Sequence, residues 1–109
     1  MSVERKIKRR EERKFVRISV RYGQKVTEYK AIAQQISSSG FFLLTNTMVY
    51  LKNTPVVVEI TGPAETWIVT GIVRHAIKVH PSMIRYTNPG MGVELMTVPP
   101  ACRDYLISL

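Results

Sequence analysis

Apolar residues recur at every second position along much of the chain. The pattern starts at Phe15, and Val16, Ile18, Val20 and Tyr22 then alternate with Arg17, Ser19 and Arg21, the period of a half-buried β-strand. Gly23-Gln24 reads as a tight turn into a second strand over about residues 25–35, and Ser37-Ser38-Ser39-Gly40 is a turn cluster. A third strand from Phe41 to Thr45 is apolar on both faces, which predicts a central position. Val56, Val58 and Ile60 form a fourth, ended by Thr61-Gly62-Pro63. The longest strand signal runs from Trp67 to His80, with Trp67, Val69, Val73, Ile77 and Val79 on one parity and Arg74, Lys78 and His80 on the other. After the turn signal Asn88-Pro89-Gly90, a sixth strand from Met91 to Met96 places Met91, Val93 and Leu95 on one face. Six strands with short connections predict an antiparallel all-β sandwich or barrel. At the C-terminal end Pro99-Pro100 can open a helix, and Ala101 and Cys102 recur with Tyr105, Leu106 and Leu109 at helical spacing. So short a helix is marginal alone and is expected to pack against the strands.

Length and composition narrow the class. At 109 residues, with no internal repeat, the chain reads as one domain that can bury a core unaided. Apolar runs are too short to span a bilayer, and no export leader is recognisable. A single cysteine, Cys102, excludes an internal disulfide and a cysteine-based zinc site. These features point to the cytoplasm, with no membrane insertion. The net charge of +8 is unevenly spread: residues 1–17 hold eight Lys and Arg against three Glu. Residues 1–12, poor in apolar groups, are expected to form a flexible basic arm ahead of a folded unit at 13–109. Such a local excess suggests an anionic partner or, more plainly, a solvated tail.

Two short elements carry candidate chemistry. Arg13 and Arg17 stand four residues apart where arm becomes strand. Extended, their Cα atoms would be roughly 13 Å apart; a bend near Lys14 would let both converge on one ligand. Guanidinium groups bind phosphate through forked, charge-assisted hydrogen bonds and stack on aromatic faces. Arg9 and Arg10 are close enough in sequence to join them. In the second element, Gln35 and Ser37 share a parity, so that an amide and a hydroxyl face one side while Ile36 faces the other. Both groups donate and accept, as reading a guanine edge requires. Gly40 permits a positive φ or a close backbone approach. Gly90 and Gly92 also share a parity, leaving bare backbone on which a flat ligand can lie, although strand glycines equally mark bulges and bends. Arg74 lies on the outward parity of its strand. His75 and His80 have no partners at metal-ligand spacing, and neither a nucleophile–base signature nor a phosphate-binding loop is present, so a non-enzymatic role without metal or cofactor is expected.

Taken together, Arg13-Lys14-Phe15-Val16-Arg17, the Ser37–Gly40 turn and Gly90-Met91-Gly92-Val93-Glu94 resemble the PilZ domain family. That family carries Arg-x-x-x-Arg followed some twenty residues later by Asp/Asn-x-Ser-x-x-Gly. The likeness covers roughly residues 10–98 and departs at Gln35, where the family has Asp or Asn. It implies a six-stranded antiparallel β-barrel whose outer surface binds cyclic di-GMP. On that basis Arg13 and Arg17 would hold phosphates and guanine, with Gln35, Ser37 and Gly40 opposite and Arg9, Arg10, Arg74 and Gly92 as further contacts. The implied function is a second-messenger receptor that orders its N-terminal arm on binding and signals to a protein partner. Two alternatives are a ligand-blind adaptor, motivated by Gln35, and a nucleic-acid-binding barrel. Against the latter, the positive charge is concentrated in the arm and the strands carry no outward aromatic stripe.

Overall fold

The computed structural model describes residues 16–83 and 88–109. Six strands, β1 (Ile18–Gly23), β2 (Tyr29–Gln34), β3 (Gly40–Leu44), β4 (Pro55–Thr61), β5 (Thr66–Ile77) and β6 (Gly90–Thr97), precede helix α1 (Pro100–Ser108). They close into a barrel in the order β1-β2-β3-β6-β5-β4, every pairing antiparallel. Closure leaves no unpaired edge, and the alternation of the sequence becomes inside and outside. Val20, Tyr22, Ala31, Ala33, Phe41, Leu43, Val56, Val58, Ile60, Trp67, Val69, Val73, Met91 and Val93 are all buried in one cluster. Phe42 and Leu44, the second apolar face of β3, are half-buried on the outside.

The strand register decides which connections share an end of the barrel. Ile18 pairs with Ala33, Gly40 with Glu94, Thr61 with Thr66 and Thr70 with Thr97. The start of β1, the 35–39 turn, the 62–65 turn and the chain leading into α1 therefore lie together. The helix belongs to this end: the Trp67 and Tyr105 rings stand 5.5 Å apart, and Cys102 and Leu106 are buried in the core. Pro100 occupies its first turn, where a missing N–H costs nothing. Of the five residues expected on the packed face, Ala101 alone is exposed. At the opposite end Tyr22, Tyr29 and Tyr50 pack ring against ring at 5.6–6.5 Å. There the Tyr22 hydroxyl meets Thr45 Oγ1 at 3.1 Å and the Met48 carbonyl.

Three boundaries differ from the alternation by more than one residue. Strand β1 begins at Ile18, with Val16 and Arg17 outside it. Strand β2 is four residues shorter at its start, because residues 24–28 form a looser turn in which Glu28 N donates to the Val26 carbonyl at 2.9 Å. Strand β5 ends at Ile77, and a bulge interrupts its parity: Val73 pairs with Val93 but His75 pairs with Gly92. Arg74 is the extra residue, so Ala76 rather than Ile77 continues the inward row opposite Met91 and packs on the core. The expected flexible arm, residues 1–12, and the first motif arginine, Arg13, lie outside the described residues.

Candidate functional site

Strand β2 stops at Gln34 because the next residue turns the backbone over. Gln35 has φ 52°, a left-handed conformation otherwise shared among non-glycine described residues only with Asn53. After that turn Ile36 drops fully into the core and Ser37 faces outward. The serine turn is closed by its own backbone, with Ser37 N donating to the Gly40 carbonyl at 2.9 Å and Ser37 Oγ lying 3.3 Å from the same oxygen. It is also tied to its neighbours: Leu95 N donates to the Ser39 carbonyl at 2.8 Å, and Arg103 Nη1 on α1 donates to the Ser38 carbonyl at 2.8 Å. Gly40 is required by space and not by φ, because a Cβ there would sit 2.2 Å from the Val93 carbonyl oxygen.

Across from this turn the β5 bulge presents two consecutive side chains, Arg74 and His75, to the outside. Bulges commonly re-aim side chains in this way beside functional sites. Gly92, opposite His75, leaves the ring room: a Cβ there would come within 3.3 Å of His75 Cβ. Gly90 is covered by the Phe42 ring, whose edge would be 2.6 Å from an added Cβ. The two glycines thus play different parts. One receives an aromatic ring, and the other keeps the surface open.

These elements enclose an open groove of about 350 Å³ lined by Gln35, Ser37, Ser39, Gly40, Phe42, Arg74, His75, Gly92 and Glu94, with backbone from Phe41 and Val93. It brings together Gln35, Ser37 and Gly40 from the serine-turn element with Arg74 and Gly92 from strands far away in sequence. Arg17 is exposed and outside the lining, but it directly precedes Ile18, whose partner Ala33 lies two residues before Gln35. Arg9, Arg10 and Arg13 lie outside the described residues. Phe42, Ser39, His75 and Glu94 were not singled out by sequence reasoning. The second apolar face of β3, on which Phe42 lies with Leu44, is the signal for the first; the bulge that exposes His75 leaves none.

The groove is electrically balanced. Arg74 Nε donates to Glu94 Oε1 at 2.6 Å, and Arg74 Nη1 lies 3.4 Å from Asn53 Oδ1. Its walls therefore offer hydrogen-bonding groups, an aromatic ring and one cation held by one anion. A second open groove, about 560 Å³ on the outside of β1–β4, contains none of the motif residues, and its Arg21 Nε is already bonded to the Thr27 carbonyl at 3.0 Å. Among the described residues no cluster of three potential metal ligands occurs, and no helix is long and apolar enough to cross a membrane.

Comparison with known proteins adds two findings. The family model described as PilZ domain matches residues 7–109. Among solved structures, the Bacillus subtilis inhibitor of motility (MotI/DgrA) superposes with a TM-score of 0.68 at 14% identity, over 92% of this chain and 47% of that one. The chain thus spans about half the length of that protein, and the likeness speaks to the fold. A search of the curated proteins gives no match.

Proposed function

Because the chain belongs to the PilZ domain family, we propose that it is a cyclic di-GMP receptor that binds the dinucleotide in the groove between the serine turn and the β5 bulge. PilZ domains are binding modules, and no catalysis is part of this reading. The observation that supports it most is the convergence of Gln35, Ser37, Gly40 and Gly92 in one groove, at the barrel end where Arg17 leads into β1. The amide of Gln35 and the hydroxyl of Ser37 suit a guanine edge, and the open backbone at Gly92 beside Phe42 suits a flat base.

The phosphates need charge that the groove walls do not supply. Arg13 and Arg17, assisted by Arg9 and Arg10, are the source closest in sequence, and each charge-assisted contact contributes about 1.5–3 kcal/mol. Residues 1–12 act as a basic arm that closes on the ligand over the barrel unit 13–109. Ordering it costs roughly 1–2 kcal/mol per residue of backbone entropy, so closure is coupled to the phosphate contacts. The closed arm is the new surface that a protein partner reads. A ligand-blind adaptor is the second reading, favoured by Gln35 in place of the family's Asp or Asn.

Titration calorimetry with cyclic di-GMP on the wild type, Arg13→Ala and Arg17→Ala is the test. Saturable binding, weakened roughly tenfold or more by each substitution, is expected, together with hydrogen-exchange protection of residues 5–17 that rises on saturation. Equal affinities in all three proteins would remove the assignment of the arginines, and an absence of heat in the wild type would favour the adaptor.

A further inference from the structure

We propose that Glu94 is an internal competitor for the ligand: its carboxylate holds Arg74 across the groove, and an anionic ligand gains that guanidinium only by displacing it. This inference rests on the cyclic di-GMP reading and concerns how the site's affinity is set.

The geometry begins with the bulge. With Val73 paired to Val93 and His75 to Gly92, Arg74 has no partner of its own in the ladder, and its side chain is thrown outward over β6. Glu94, paired with Gly40 on one side and Ile72 on the other, projects from the strand between the two groove walls. The result is the 2.6 Å contact between Arg74 Nε and Glu94 Oε1, the one ion pair among the described residues. Asn53 Oδ1 steadies the far nitrogen at 3.4 Å.

The two side chains are 47% and 49% exposed, so water competes for both and the pair is weak, as exposed pairs are. Glu94 accepts one hydrogen bond from Arg74, whereas a phosphate can accept two parallel ones from the same guanidinium. Yet the exchange has a cost beyond the lost ion pair, because a released Glu94 carboxylate then faces the incoming negative charge inside the groove. Glu94 therefore lowers affinity for anions while contributing little to the fold. It is a positioning residue that acts through Arg74.

The test compares wild type with Glu94→Gln, which keeps shape and hydrogen-bonding capacity but removes the charge. Glu28→Gln, at the opposite end of the barrel, is the control for net charge. Cyclic di-GMP titrations at low and high salt are expected to show Glu94→Gln binding roughly two- to fivefold tighter than wild type at low salt. The gain should shrink as salt screens the groove, while Glu28→Gln stays near wild type. The Arg74 Nε–H resonance, assigned by its loss in Arg74→Lys, should shift both on ligand addition and on Glu94→Gln. Wild-type binding with unchanged or weaker affinity in Glu94→Gln, or an equal gain in Glu28→Gln, overturns the inference and leaves the receptor reading standing. Binding by Glu94→Gln where wild type shows none supports it. Silence from both proteins sinks both readings.

Discussion

Gln35 gives the most direct physical test of how the site is built. Its φ of 52° places an unbranched, long side chain in the left-handed region, where the Cβ of an L-residue crowds the following carbonyl at a cost of about 1–2 kcal/mol. Asparagine adopts this conformation several-fold more readily because its short amide can bond to the local backbone. Gln35→Asn should therefore recover part of the strain, about 0.5–1 kcal/mol. For a domain of this size that corresponds to a rise in Tm of roughly 2–8 °C. Gln35→Gly removes the steric cost altogether but returns about 0.4–1 kcal/mol by loosening the unfolded chain, so its net gain, about 0–1.6 kcal/mol, spans that of asparagine. Trp67, the single tryptophan, packs at the helix–barrel contact and reports unfolding by fluorescence in urea. Both variants are expected at or above wild type in stability, with cyclic di-GMP affinity in Gln35→Asn at least equal to wild type. An asparagine variant about 1 kcal/mol less stable than wild type would refute the reasoning. It would mean that the contacts of the longer amide outweigh the relief of the backbone.

The two glycines facing the groove should separate fold from binding. Gly40→Ala, with its Cβ 2.2 Å from a backbone oxygen, should cost about 1–3 kcal/mol in urea unfolding. Gly92→Ala, where the nearest atom is His75 Cβ at 3.3 Å, should cost less than about 1 kcal/mol yet weaken ligand binding, and the reverse order in either assay would contradict the geometry. Burial pushes the Cys102 thiol up from its ordinary 9.0, against a smaller downward pull from Arg103. Burial, followed by Tyr29, Glu28 and Tyr22, likewise raises the Tyr50 phenol from 10.0. Above those ordinary values the unfolded chain releases protons that the folded chain keeps, so these two groups should make stability fall as pH rises through 9 and then 10. Cys102→Ala should flatten the first part of that fall.

Much of the barrel was legible because its inward row is continuous in the sequence: Val20 and Tyr22, Val56 to Ile60, Trp67 to Val73 and Met91 to Val93 all carry the period of two. The helix was legible for the same reason at its own period. What the sequence concealed is the shift of one residue at Arg74. Val73, Ile77 and Val79 continue the parity as though no bulge existed, and only the register of β5 against β6 reveals that Ala76 is the residue inside. The exposure of His75 is concealed with it, since that exposure depends on the shift. Strand parity does not account for the shared facing of Gln35 and Ser37, because β2 ends at Gln34. Both line the groove, although they do so across a left-handed turn and not along one strand. Of the two possible uses of Gly40, the close approach is the one the fold makes.

On the proposed reading, the division of charge accounts for a site split between barrel and arm. Within the groove Arg74 and Glu94 cancel, and the remaining lining consists of an amide, two hydroxyls, an imidazole, a phenyl ring and bare glycine. Such walls can distinguish one base from another by shape and hydrogen bonds, but they provide little attraction for a dianion in water. Residues 1–17 have the opposite character, with eight cations and few apolar groups, so they attract anions strongly and cannot discriminate among them. In that proposal, recognition falls to the barrel and attraction to the segment before β1, so each depends on the other. An anion of the wrong shape meets the arm without filling the groove, and a base without phosphates fills the groove without recruiting the arm. Only a ligand that carries both guanine and phosphate joins the two parts. Under the proposed mechanism arm closure would report that ligand, because the entropy of ordering the arm must be offset by contacts from both parts.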